Sequence, residues 1–110
     1  MMILENRYVL HIPLVKLQDD ELIPIDIDEI LGDLKGRLNH EGLDSFYITK
    51  VESHYEKWGY DEILITVFTS GDLPERIFRK WFIDNNDILG QKELAYEIAN
   101  ELIIEKIVSE

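Results

Sequence analysis

The chain has 110 residues, 45% hydrophobic and 31% charged, which is enough for one domain with its own core. Its 23 acidic against 11 basic residues give a formal net charge of -12. That charge disfavours direct binding to nucleic acid or an anionic membrane and favours a cation or a basic protein partner. No cysteine is present, so disulfides, thiolate metal sites and cysteine nucleophiles are excluded.

The opening MMILENRY meets charge after four residues, and no apolar run reaches the length of a membrane span. A cytoplasmic location is the expectation. RYVLHIPLVKL (7–17) reads as the first strand, with Tyr8, Leu10, Ile12 and Leu14 on one face. Val9, His11, Val15 and Leu17 fall on the other. Pro13 lacks an N–H and therefore marks a sheet edge or a bulge. QDDELIP (18–24) reads as a polar connection.

In IDIDEILGDLKGRLNHEG (25–42), Ile27, Ile30, Leu31, Leu34 and Leu38 recur at helical spacing. Asp26 and Glu29 have capping spacing, and Gly42 suits the stop. SFYITKVESHYE (45–56) and DEILITVFT (61–69) then read as two strands of a hairpin. A three-residue loop, Lys57-Trp58-Gly59, sets Val51 against Ile65 and gathers the apolar side chains on one face. This register leaves Ile48, Leu64 and Phe68 on the outer face and sets His54 opposite Glu62. The stretch SHYEKWGYDE (53–62) is then a hairpin tip, its aromatics shielding the turn and Trp58 available for contact.

LPERIFRKWFIDNN (73–86) reads as a second helix, with Pro74 in its first turn and Leu73, Ile77, Phe78, Trp81 and Phe82 along its stripe. DNNDILGQKE (84–93) lacks the ligands of a calcium loop. QKELAYEIANELIIEKIVSE (91–110) reads as a third helix, running from Gln91 to about Ile107. There, Glu93, Glu97, Glu101 and Glu105 would stack as an acidic ridge. The alternative makes LIIEKIV (102–108) a fourth strand.

The expected fold is a single α+β domain over residues 1–110 in β-α-β-β-α-α order. Its antiparallel sheet has three strands, or four in the alternative, with helices mainly on one face. This is the split β-α-β arrangement of ferredoxin-like domains. No catalytic motif, cofactor or metal site is implied. Function is therefore expected to be that of a small acidic non-catalytic interaction protein, a homodimer or a subunit binding a basic partner. Its contact residues would be Ile48, Leu64, Phe68, Trp58, Glu93, Glu97, Glu101 and Glu105. The alternatives are a nucleic-acid mimic that blocks a DNA- or RNA-binding protein, and a small ligand binder or enzyme that uses the sheet face. A deep apolar cavity containing a buried Tyr, His or carboxylate would favour the last, and a flat apolar patch repeated in a dimer would favour the interaction protein.

Overall fold

The computed structural model describes residue 4 and residues 6–107. Val108, where the alternative fourth strand (102–108) was expected to end, lies outside the described residues. In chain order the elements are β1 (Asn6–Pro13), β2 (Val15–Gln18), β3 (Glu21–Pro24), α1 (Asp28–His40), β4 (Phe46–Tyr55) and β5 (Trp58–Thr69). They are followed by α2 (Leu73–Asp84), α3 (Asn86–Leu89), β6 (Glu93–Ile98) and β7 (Glu101–Lys106). Among the described residues strand dominates, at 49% against 28% helix.

The main sheet has five strands in the order β4-β5-β1-β6-β7, all neighbours antiparallel, and β2 and β3 form a separate two-stranded ribbon. The expectation of a three- or four-stranded ferredoxin-like sheet is thus corrected. So is the third helix: residues 93–106 form a β-hairpin. Its turn places Ala99 and Asn100 at φ 49° and 72°, the left-handed pair that a two-residue hairpin loop requires. Asp19 and Asp20, at φ 52° and 61°, turn the ribbon in the same way. Pro13 ends β1, and the chain leaves the sheet through a bend at Leu14.

The hairpin register also differs from expectation. Tyr55 pairs with Trp58, so Glu56 and Lys57 make the loop, and Ile48 rather than Val51 faces Ile65. Glu56, not Gly59, takes the positive φ, at 54°. Gly59 instead sits opposite His54, where an added Cβ would come within 3.2 Å of the imidazole. This register puts Phe46 and Ile48 beside Ile65 and Val67 in the core and releases Val51 to the other face.

Ile30, Leu34 and Leu38 of α1 and Phe78, Trp81 and Phe82 of α2 form one core with Tyr8, Leu10, Ile12, Ile65, Val67, Leu94 and Tyr96. The Trp81 indole donates to the Ile30 carbonyl at 2.8 Å, and Arg37 pairs with Asp84 at 3.0 Å, which locks α2 to α1. Among the described residues no helix is long and apolar enough to cross a membrane.

Ala99 carries a side chain in a conformation that disfavours one. Ala99→Gly is expected to stabilise the fold by about 1 kcal/mol. Thermal unfolding checks this: the midpoint should rise by a few degrees, and a fall would show that Ala99 is not strained.

Candidate active site on the open sheet face

Because strand residues alternate, the five strands present a second face opposite the helices. One row across it reads Thr49, Leu64, His11, Ala95, Ile104. The next reads Tyr47, Thr66, Val9, Glu97, Leu102. Tyr47, Leu102 and Ile104 are 49%, 57% and 53% exposed, so the outer strands carry no cover here.

At the centre of this face, three adjacent strands bring titratable groups together. His11 on β1 faces Leu64 and Ala95 directly, so Glu62 on β5 and Glu97 on β6 are its diagonal neighbours. The imidazole Nδ1 lies 3.1 Å from Glu62 Oε1 and Nε2 lies 2.6 Å from Glu97 Oε2. The Ser53 hydroxyl donates to Glu62 Oε1 at 2.9 Å, and Arg7 stands 3.9 Å from Glu97. Glu62 is buried, only 6% exposed.

Both imidazole nitrogens meet carboxylate oxygens, which are acceptors only, so the doubly protonated ring satisfies the geometry best. Burial pulls the His11 pKa down, but the hydrogen bonds and charges of Glu62 and Glu97 outweigh it, and the net shift is upward from 6.5. One imidazolium between two carboxylates sums to one negative charge in a half-buried setting, and the exposed Arg7, 3.9 Å from Glu97, screens it only from the rim. Such a centre can hold a small organic cation or move a proton at a bound ligand. Among the described residues no group of three His, Cys, Asp or Glu side chains is arranged to hold a metal ion.

The structure scatters the residues singled out by sequence. Leu64 and Phe68 lie on the open face, but Ile48 packs against the helix-side core. The ridge of Glu93, Glu97, Glu101 and Glu105 does not exist. Glu93 and Glu97 lie on the open face, whereas Glu101 and Glu105 fall on the opposite side, past the turn. Glu105 accepts from Arg79 at 2.9 Å and from the Tyr96 hydroxyl at 2.6 Å. Those hydrogen bonds, from Arg79 and then Tyr96, hold the Glu105 carboxyl below the usual range. Glu105 therefore ties β7 to α2. His54 bonds Glu52 at 3.0 Å on an exposed surface and does not meet Glu62, a role that Ser53 takes. Trp58 is half-buried at the start of β5, with the Lys57 ammonium 5.1 Å from its ring centre.

Sequence alternation places His11, the hub of the cluster, only on the less apolar face of the first strand. A histidine within an otherwise apolar strand was the available signal. Its carboxylate partners could be found only from the pairing of β1 with both neighbours.

A larger cavity, about 520 Å³, lies elsewhere, between α1 and α2, and is lined by Asp33, Gly36, Arg37, Arg76 and Ile77 among others. Part of its charge is spent on ion pairs: Arg37 pairs with Asp33 and Asp84, and Lys80 with Asp84. It contains no buried titratable group, so the open face is the stronger site.

No family model matches the sequence, and no curated protein matches it. A phage SAM lyase solved in complex with S-methyl-5'-thioadenosine shares the fold. The similarity has a TM-score of 0.55 at 11% identity and covers 93% of this chain and 89% of that one. The likeness is one of fold. The solved neighbour is nonetheless a lyase with a small molecule bound. This finding sets aside the expectation of a non-catalytic interaction protein, while the likeness itself reaches only the fold.

The raised His11 pKa fixes the sign of a pH effect. Its stabilising contribution is fully present below about pH 6.5, the unfolded value, and is lost as pH rises through the higher folded value. Thermal unfolding of wild type and His11→Gln, compared between about pH 5.5 and 9, should show the wild-type advantage shrinking with pH. An advantage that grows with pH would mean that His11 is held neutral.

Proposed function

We propose that the protein is a small-molecule-binding enzyme domain that uses the open sheet face, with His11, Glu62 and Glu97 as its reactive centre. The observation that carries this reading is the imidazole held between two carboxylates, 3.1 and 2.6 Å away, at the middle of a face that no helix covers. A fold supported by helices on one side needs no ionisable cluster on the other for its stability. Replacing such a cluster with packed apolar groups is often neutral or favourable.

The ligand class follows from charge. A net negative centre on a chain of charge -12 attracts a compact organic cation. The fold neighbour's description supplies the first candidate, S-adenosylmethionine, whose sulfonium and ammonium are both positive. Glu62 and Glu97 would set the cation, and Ser53 keeps the Glu62 carboxylate oriented. If a carbon–sulfur bond is broken by elimination, a proton must leave a neighbouring carbon. A carboxylate, or His11 in its neutral form, is the group placed to take it.

Isothermal titration with S-adenosylmethionine tests the reading. Wild type should bind, and Glu62→Gln and Glu97→Gln should each weaken binding about tenfold by removing one charge without changing shape. Incubation followed by chromatography reads cleavage as release of the neutral thioether. Absence of binding at millimolar ligand, or binding untouched by both substitutions, would overturn the proposal.

A further inference from the structure

The open face continues, at the hairpin end, into a feature that the charged centre does not use. Tyr60 is two residues before Glu62 on β5, hence on the same face and about 7 Å along the strand. Opposite it is Ser53, the residue hydrogen-bonded to Glu62. The next pair outward, Tyr55 with Trp58, stands on that face as well. Beside them runs the β2–β3 ribbon, anchored by the Leu14 amide on the Asp61 carbonyl at 2.9 Å and the Ile25 amide on the Leu14 carbonyl at 2.9 Å.

Between ribbon and hairpin lies a cleft of about 260 Å³ lined by Pro13, Leu17, Leu22, Tyr55, Trp58 and Tyr60, among others. A second hollow of about 310 Å³ shares Leu17, Tyr55 and Gln91 with it and reaches Lys92 and Glu93. Two of the lining side chains, Tyr55 and Leu17, are 64% and 57% exposed, an unfavourable arrangement for large apolar groups that nothing covers. Burial, then the negative charge of Glu62 and the nearby Tyr55, push the Tyr60 hydroxyl pKa up, so cleft and charged centre share one electrostatic environment. Gln91 donates both amide hydrogens within the chain, to the carbonyls of Val15 and Leu89 at 2.8 Å each. Among the described residues no donor meets its side-chain oxygen, so a residue lining the cleft keeps an acceptor.

Three aromatic rings, two leucines and an amide acceptor suit a flat ring system with a hydrogen-bond donor on its edge. We propose that this cleft is the ring subsite of the same ligand site. It takes the planar aromatic group of the molecule whose cationic part lies at His11, Glu62 and Glu97. The inference rests on the ligand-binding reading above and extends it: the substrate class is a cation joined to a planar heterocycle by a short linker, and Tyr55, Trp58 and Tyr60 select it. The tip of the β4–β5 hairpin then serves specificity as well as closing the turn.

Adenosine, neutral and planar, is the probe. The protein has two tryptophans, and Trp81 is wholly buried, so acrylamide quenching of fluorescence reports on Trp58. Millimolar adenosine should protect Trp58 from acrylamide. Tyr60→Leu, and the more exposed Tyr55→Leu as the variant least able to disturb folding, should weaken adenosine and S-adenosylmethionine together, each by about tenfold. S-adenosylmethionine binding that depends on Glu62 but leaves Trp58 unprotected and is indifferent to both tyrosines would overturn the subsite while sparing the charged centre. Adenosine protection lost in both tyrosine variants would support the subsite even if no sulfonium ligand bound.

Discussion

One layer of helices can cover only one face of a five-stranded sheet, and this constraint organises the molecule. The aromatic stripe of α2 and the leucine stripe of α1 seal the face made by Tyr8, Leu10, Ile12, Ile65 and Val67. The indole hydrogen bond from Trp81 to Ile30 fixes the two helices to each other inside that seal. With the core complete on one side, the side chains on the other are released from packing duty. It is there that the sequence places a histidine and two glutamates within hydrogen-bonding reach.

That placement has an electrostatic cost that the chain meets locally. Glu62 is buried, and an unpaired buried carboxylate is strongly destabilising. His11 and Ser53 satisfy it, and His11 is in turn held by Glu97. His11, Glu62 and Glu97 together carry one negative charge in excess, offset only from the rim by the exposed Arg7, so a cationic ligand completes the centre. A cluster that is satisfied but unbalanced in charge holds its geometry before the ligand arrives, which lowers the ordering cost of binding. The acidic surface adds a long-range attraction for the same ligand class.

Sequence patterning located α1, the β4–β5 hairpin and α2, because each has an amphipathic stripe or an alternating run long enough to be unambiguous. It failed where two periods coincide. In residues 93–106 the apolar positions fit a helix, and the left-handed Ala99-Asn100 turn carries no glycine to betray it. That turn also explains the illusory acidic ridge: a two-residue loop shifts the alternation, so Glu97 and Glu101 end on opposite faces. The ribbon was missed because Asp19 and Asp20 read as polar linker although both adopt turn geometry. The site was illegible for a related reason. His11, Glu62 and Glu97 are far apart in the chain, and only the exact pairing of β1 with β5 and β6 brings them to one face. A register slip of one residue on either side would have dispersed them.

The central claim is that ligand chemistry occurs on the open face and not in the larger groove between α1 and α2. Backbone amide shifts of the labelled protein, followed by NMR during titration with S-adenosylmethionine, test it most directly. The account predicts changes concentrated at His11, Ser53, Glu62 and Glu97, with α1 and α2 largely still. Shifts concentrated at Asp33, Gly36, Arg37 and Arg76 would contradict it.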